Sequence, residues 1–327
     1  MSYMNYAENE IEVDSAYKII KESIYQREIL RKVKYSYKIS PSNLDEPILI
    51  AEGEQASAYC LSAFNHFIQN KTDFEMALDS GNHHPITGSF FVGDLAAGED
   101  LMVNIDDVLP FYDRVWCITR SAGVLHKTFN LLGNTAYERA FKIYSPQKKF
   151  PNEPMIGIIG TEPKRKIVGS GRGGAHGGNL DLPCIKKGAT VILPAAHKKA
   201  GVWFGDIHAT QGWGELAGVA LECSGVVKFR IQRVKLIQKT KEPIIICPKA
   251  DGLYDLHFVG CRNSFREAII AAAQNAVRFY PAWDAHGLID AYCELGMYGN
   301  IVVGQAVGKT VSVAINIQTK DISQIYK

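Results

Sequence analysis

Between residues 15 and 34, Tyr17, Ile19, Ile20, Ile24, Ile29, Leu30 and Val33 recur at near-helical spacing between charged flanks. This predicts an amphipathic helix. Its basic end, Arg27, Arg31, Lys32 and Lys34, reads as solvated cations near a helix C-terminus. After Pro41 the texture changes to short apolar runs broken by Gly, Pro, Asn and Asp. These runs predict strands at 47–51, 89–92, 100–105, 115–119, 141–144, 155–159 and 190–193. The run 216–233 alternates imperfectly, which predicts a hairpin or a bent strand. From Lys239 the periods mix. Strands are predicted at 244–247 and 254–259. A helix is predicted at 264–279, with Asn263 or Ser264 as N-cap, Glu267 in the first turn and Pro281 beyond its end. A second helix is predicted at 284–297, then two β-branched runs, 301–306 and 310–317, as a hairpin. The pattern is a β-rich α+β chain in three parts: an N-terminal helical extension (1–45), a β-rich body (46–238) and an α+β C-terminal subdomain (239–327).

Composition narrows the classes. Lys and Arg number 36 against 34 Asp and Glu, a net charge of +2. That balance argues against an electrostatic nucleic-acid binder and against a polybasic membrane-surface protein. No apolar run approaches the ~20 residues that span a bilayer, and residues 1–14 carry acids without an apolar stretch of the secretory kind. The seven cysteines are scattered, odd in number and without a C-x-x-C pair. They read as reduced, mostly buried thiols of a cytoplasmic protein.

Two familiar motifs fail on context. Gly169 to Gly174 matches G-x-G-x-x-G, but Ala175-His176-Gly177-Gly178-Asn179 follows, which is too glycine-rich to open the helix a dinucleotide needs. Gly304 to Thr310 resembles a P-loop with its glycines one residue too close and strand-like flanks, so it reads as a turn. Cys117 lies in an apolar strand and the Trp203-Phe204 pair reads as core.

The candidate chemistry sits in two segments, Gly173 to Asp181 and Gly205 to Glu215. Each sets a histidine and acids among small residues. The glycines permit close backbone approach and positive φ. Neutral imidazole with carboxylate suits zinc and similar metals. In an extended segment Asp206 and His208 point to one side. Taken alone, each segment also reads as a Gly/Asn/Asp turn.

The order of these motifs resembles the acetamidase/formamidase family. Gly174-Ala175-His176-Gly177-Gly178-Asn179-Leu180-Asp181 is similar to its G-P-H-G-G-N-M-D element. Lys187-Gly188 through Leu193-Pro194 matches the K-G-x-x-x-x-L-P strand. Gly205 to Glu215 resembles G-D-x-H-A-x-Q-G-D-G-E, and Gly218 to Glu222 resembles G-T-A-x-E. Upstream, His84-Pro85-Ile86-Thr87-Gly88 and Met155-Ile156-Gly157 resemble H-P-x-T-G-P and M-I-G. Trp213 departs from the second motif, where the family has an acid; Ala175 replaces a proline.

The resemblance implies a β sandwich or barrel body with an α+β C-terminal part. It implies hydrolysis of a short linear amide, formamide- or acetamide-like, to carboxylate and ammonia. It also implies a divalent metal, zinc with calcium as the alternative, and a homo-oligomer. Carried over by position, His176, Asp206 and His208 are the expected metal ligands. Glu215, Asp181 and Asn179 are the expected catalytic residues, and Gly177, Gly178, Gln211 and His84 the expected substrate contacts. The rival expectation is a binding protein on the same fold, inactive or altered in specificity, motivated by Trp213. A cysteine-based hydrolase is the third, and no cysteine has a motif around it.

Overall fold

Three consecutive isoleucines, Ile244 to Ile246, are all buried, yet they enter two different cores. Ile245 packs with Phe204 and Phe229; Ile244 and Ile246 pack with Phe258 and Phe279. Side chains alternate across a strand, so this strand belongs to a sheet covered on both faces.

The computed structural model describes residues 36, 38–39, 47–64, 72, 76, 83–111, 115–118, 123–125, 127–128, 141–144, 153–279 and 287–327. They lie in a unit running from Lys34 to Lys327. The helix expected at 15–34 falls outside the described residues, as do 284–286 at the start of the second expected helix.

The main elements are β1 (Gln55–Cys60), β2 (Ile86–Phe91), β3 (Asp100–Pro110), β4 (Met155–Gly160), β5 (Gly177–Asn179), β6 (Thr190–Leu193), β7 (Val202–Thr210), β8 (Leu221–Cys223), β9 (Gly225–Val234), β10 (Ile244–Pro248) and β11 (Tyr254–Arg262). Then come α1 (Phe265–Phe279), α2 (Leu288–Tyr298), β12 (Asn300–Val303) and β13 (Val311–Thr319).

The first sheet runs β5, β4, β7, β8, then Val115–Ile118 and Phe141–Tyr144, with the short strand Gly173–Gly174 beyond β5 and β2 also paired to β7. The second runs β12-β13-β11-β10-β6-β3-β9-β1. Neither closes on itself, so the body is a sandwich and the barrel alternative is set aside. Phe90, Phe204 and Phe229 join the sheets, with ring centroids 4.4 to 5.9 Å apart. The second sheet is continuous across residue 239: β10 and β11 extend the row that contains β6, β3 and β9.

Helix α1 covers the outer face of the second sheet. Its buried stripe is Ala268, Ala271, Ala272, Asn275, Ala276 and Phe279, the spacing of one helical face. Ser264 Oγ accepts the Glu267 N–H at 3.2 Å, as the predicted N-cap should. The helix lies close because Gly260 has no side chain: a Cβ there would stand 2.2 Å from Ala268 O. No helix among the described residues is long and apolar enough to cross a membrane.

The run 216–233 becomes two strands in different sheets. Strand β8 pairs with β7 in the first sheet, and β9 pairs with β3 and β1 in the second. Nearly every residue from Val219 to Val227 is buried. A strand covered on both sides has no polar alternation to betray where it changes sheets.

Candidate active site

The site grows from the middle of β7. On one edge this strand pairs with β4 along most of its length. On the other edge its partner changes from β2, at Val202 to Gly205, to β8, at Ile207 to Thr210. Asp206 sits at that change, with φ +54°. His208 follows two residues on, and its imidazole Nε2 lies 3.3 Å from Asp206 Oδ1. Glu222 on β8 is the cross-strand partner of His208. Its Oε1 lies 3.4 Å from the same nitrogen.

Gly157 on β4 holds the third acid. Its carbonyl accepts the N–H of Leu180 (2.9 Å) and of Asp181 (3.1 Å). A Cβ at Gly157 would stand 2.5 Å from Asp181 Oδ1 and 3.1 Å from Asp206 Oδ2. The missing side chain is the space in which these two carboxylates meet. Glu215 reaches the cluster from the turn 212–218, which closes through Glu215 N to Gly212 O and Gly218 N to Glu215 O.

One residue links the two motifs from far along the chain. Gln305 Nε2 donates to Asp181 Oδ2 at 2.5 Å and lies 3.2 Å from Glu215 Oε2. Gly214 N donates to Gly304 O and Ala306 N to Gly214 O, so the turn carrying Glu215 is seated on the segment between β12 and β13. Ser312 fixes this closure, accepting Gln305 N (2.8 Å) and donating to Leu180 O. Gln211 orients His208: its Oε1 lies 2.7 Å from Nδ1, and its Nε2 donates to Asp181 O at 2.6 Å. A ring N–H given to Gln211 turns Nε2 toward the carboxylates.

Four non-glycine residues among the described ones have positive φ: His84, Asp181, Asp206 and Glu215. All four are expected site residues. Left-handed backbone is costly outside glycine, less so for Asp and His, and persists where surroundings enforce it.

The electrostatics are those of a crowded acid cluster. Burial, then Glu215 and Asp206, push the Asp181 carboxyl well above its usual range. Burial also raises Glu222, to about 8, against the pull of His208. Burial opposes ionisation of Asp206, but His208 and the more distant His84 outweigh it and hold that carboxyl low. Burial likewise disfavours a charged His208, and Glu222 and Asp206 overcome it, keeping the imidazole well above its ordinary value.

The donor set fits a cation. Ligand atoms of Asp181, Asp206 and His208 lie within 4.8 Å of one another, as do those of His208, Glu215 and Glu222. His208 Nε2, Asp206 Oδ1, Asp181 Oδ1 and Glu222 Oε2 are buried without a hydrogen-bond partner. Buried polar atoms left unpaired in this way are expensive, and an ion satisfies them together.

The expected residues separate into two groups. Asp181, Asp206, His208, Gln211 and Glu215 converge, and His84 stands at their edge, its Nε2 3.9 Å from Asp206 Oδ2. His176 does not join the groups of converging ligand atoms. It is buried with Nε2 unpartnered, and burial lowers its pKa to about 4, so the ring is neutral. Asn179 is buried in β5 with Oδ1 unpartnered. Gly177 and Gly178 pack against backbone: a Cβ would meet Ile159 O or Arg172 O at 2.4 Å. Sequence reasoning missed Glu222 and Gln305. Glu222 ends the G-T-A-x-E match, which was a usable signal. Gln305 lies in the false P-loop, where nothing local marks it.

A sequence model of the Acetamidase/Formamidase family matches residues 170–279. A Schizosaccharomyces pombe protein named as a formamidase is 23% identical over 249 residues, covering 57% of this chain and 61% of that protein. An acetamidase of Mycolicibacterium smegmatis is 28% identical over 138 residues, covering 37% and 34%. The matched regions thus span less than two thirds of these relatives. Among solved structures, an acetamidase from Bacillus halodurans superposes with a TM-score of 0.75 at 24% identity, covering 87% of this chain and 95% of that one. The chain thus shares its fold with the solved acetamidase, and residues 170–279 are similar to the acetamidase/formamidase family.

Proposed function

We propose that the protein hydrolyses a short linear amide to a carboxylate and ammonia with the help of a bound divalent metal. The observation that carries this reading is the convergence of Asp181, Asp206, His208, Glu215 and Glu222 in one buried cluster. Asp181, Asp206 and His208 are the residues that would hold the ion, with Asp181 taking the part expected of His176. Zinc suits the imidazole and carboxylate donors, with calcium the alternative for an oxygen-dominated set. Bound there, a divalent cation supplies Lewis acidity toward a carbonyl or water.

The chain supplies the rest. Glu215 stands beside Asp181, bridged to it by Gln305, and is the carboxyl that takes a proton from attacking water and returns it to the leaving nitrogen. Glu222 holds a second proton beside His208. Gln211 keeps the imidazole from turning. His84, partly exposed beside Asp206, is suited to meet the substrate at the mouth.

Trp213 favours a second reading, a protein of the same fold with changed specificity or binding alone. Its indole is 45% exposed and stacks on His257 at 6.1 Å, where the family motif has an acid. The formamidase and acetamidase names of the relatives support formamide, acetamide and propionamide as the test panel. Ammonia release that stops on chelation and returns with added metal is the expected result. No release from any of the three, with metal retained by elemental analysis, would favour the second reading.

Self-association is part of the proposal. Leu288, Ile289, Tyr292, Met297, Tyr298 and Ile301 are exposed on and beside α2, and a grouped apolar surface of this kind is commonly covered by a partner. Light scattering on the purified chain reads the subunit number directly. The seven cysteines are free thiols, which supports a cytoplasmic setting.

A further inference from the structure

The structure assigns a second metal site, distinct in chemistry from the acid cluster: Cys184, Cys247 and His257 form a soft-donor site for a thiophilic divalent ion, zinc by donor class. One ligand atom from each lies within 4.8 Å of the others. Two of the three come from neighbouring strands. Cys247 on β10 pairs with Asp255, and His257 on β11 pairs with Ile245. Cys247 and His257 are therefore diagonal neighbours on one face of the second sheet. That is the face of Ile245, which points toward the first sheet. Cys184 arrives from the loop after Asp181, and its carbonyl accepts the Cys247 S–H at 3.5 Å.

The surroundings fit a cation better than a closed apolar core. His257 is only 5% exposed, and its Nδ1 has no hydrogen-bond partner. Its other nitrogen lies 3.4 Å from Asn316 Nδ2. A histidine fixed through one ring nitrogen and unpaired at the other is the usual posture of a ligand. Two thiolates and an imidazole select zinc-like ions over calcium or magnesium. Binding displaces one proton from each thiol, M²⁺ plus two S–H giving two metal–sulfur bonds and two H⁺.

The placement gives the site a purpose. Cys184 lies three residues after Asp181, and His257 carries the stacked Trp213 of the turn that presents Glu215. An ion here ties the loop after Asp181 to the β10–β11 hairpin, next to the indole that departs from the family motif. This inference does not depend on the proposed amide hydrolysis.

The test uses the full chain, reduced with a non-thiol reductant and titrated with Co²⁺ as a spectroscopic substitute for zinc. The expected result is a saturable thiolate-to-cobalt charge-transfer band. Asp206→Asn, which alters only the acid cluster, keeps the band; Cys247→Ser and Cys184→Ser lose it. Because a variant can fail to fold, the wild type is also alkylated with iodoacetamide with and without Zn²⁺. Zinc should slow modification of Cys247 about tenfold. The assignment is overturned by absence of the band in reduced wild type. Its persistence in the double cysteine variant, alkylation of Cys247 unaffected by Zn²⁺, or a Cys184–Cys247 disulfide forming in excess Zn²⁺ would each overturn it as well.

Discussion

The outer face of the second sheet and the centre of the first sheet follow opposite rules. Around α1 the interior is mainly alanine, isoleucine, leucine and phenylalanine, with one buried amide, Asn275, which donates to Pro243 O at 3.0 Å and leaves its Oδ1 unpartnered. Around β7 the interior holds four carboxyl groups and a histidine, several atoms without partners, and left-handed backbone at three of the acids. The first arrangement lowers the energy of the fold; the second raises it and is carried by the first. Stability and chemistry are separated in space, so substitutions should separate them in measurement.

The sharpest test of that separation is His208→Ala. Ammonia release should fall by about 10³-fold, the scale of losing a main electrostatic group, while the thermal midpoint falls less than for a core truncation, since buried acids that lose their cation can take up protons. A large fall in midpoint would break the comparison. Phe258→Ala should do the reverse, costing about 3–5 kcal/mol in denaturant unfolding because it opens a cavity under α1, with turnover per folded molecule unchanged. Next is Gly157→Ala. The new methyl group would drive Asp181 and Asp206 apart, and a displacement on the scale of an ångström should cost about 10²-fold in turnover. If Gly157→Ala retains full activity, the two carboxylates do not act from the observed positions. The smallest effect is expected for Gln211→Ala, about tenfold in metal affinity, since it reaches the cluster only indirectly, through the far nitrogen of His208 and the Asp181 carbonyl. Isothermal titration with Zn²⁺ checks it.

Much of this was readable from residues alone, and the exceptions have causes. The strands at 100–105, 141–144, 155–159, 190–193 and 244–247 were legible because turn residues bracket short apolar runs. The hairpin 301–317 was legible because two β-branched runs flank a polar turn. The motif order pointed to Asp181, Asp206, His208 and Glu215 before any geometry. His176 was drawn in by the same motif, yet its ring sits outside the converging groups, because spacing along a glycine-rich hairpin does not say which way a side chain turns. Gln305 was illegible because its meaning is purely tertiary. An amide in a turn looks like any other until the fold brings it to Asp181, 124 residues earlier in the chain.

That separation also sets an order of assembly. As the chain emerges from the ribosome, Asp181, Asp206, His208, Glu215 and Glu222 are all synthesised before the amide that bridges two of them. The acid cluster must wait, with the turn around Gly214 unseated, for the hairpin of β12 and β13 to arrive. Vectorial synthesis normally rewards early segments with early contacts; here the closing piece follows the two acids it bridges by 124 and 90 residues. A ribosome stalled shortly before residue 305 would carry an acid cluster that has not yet been joined.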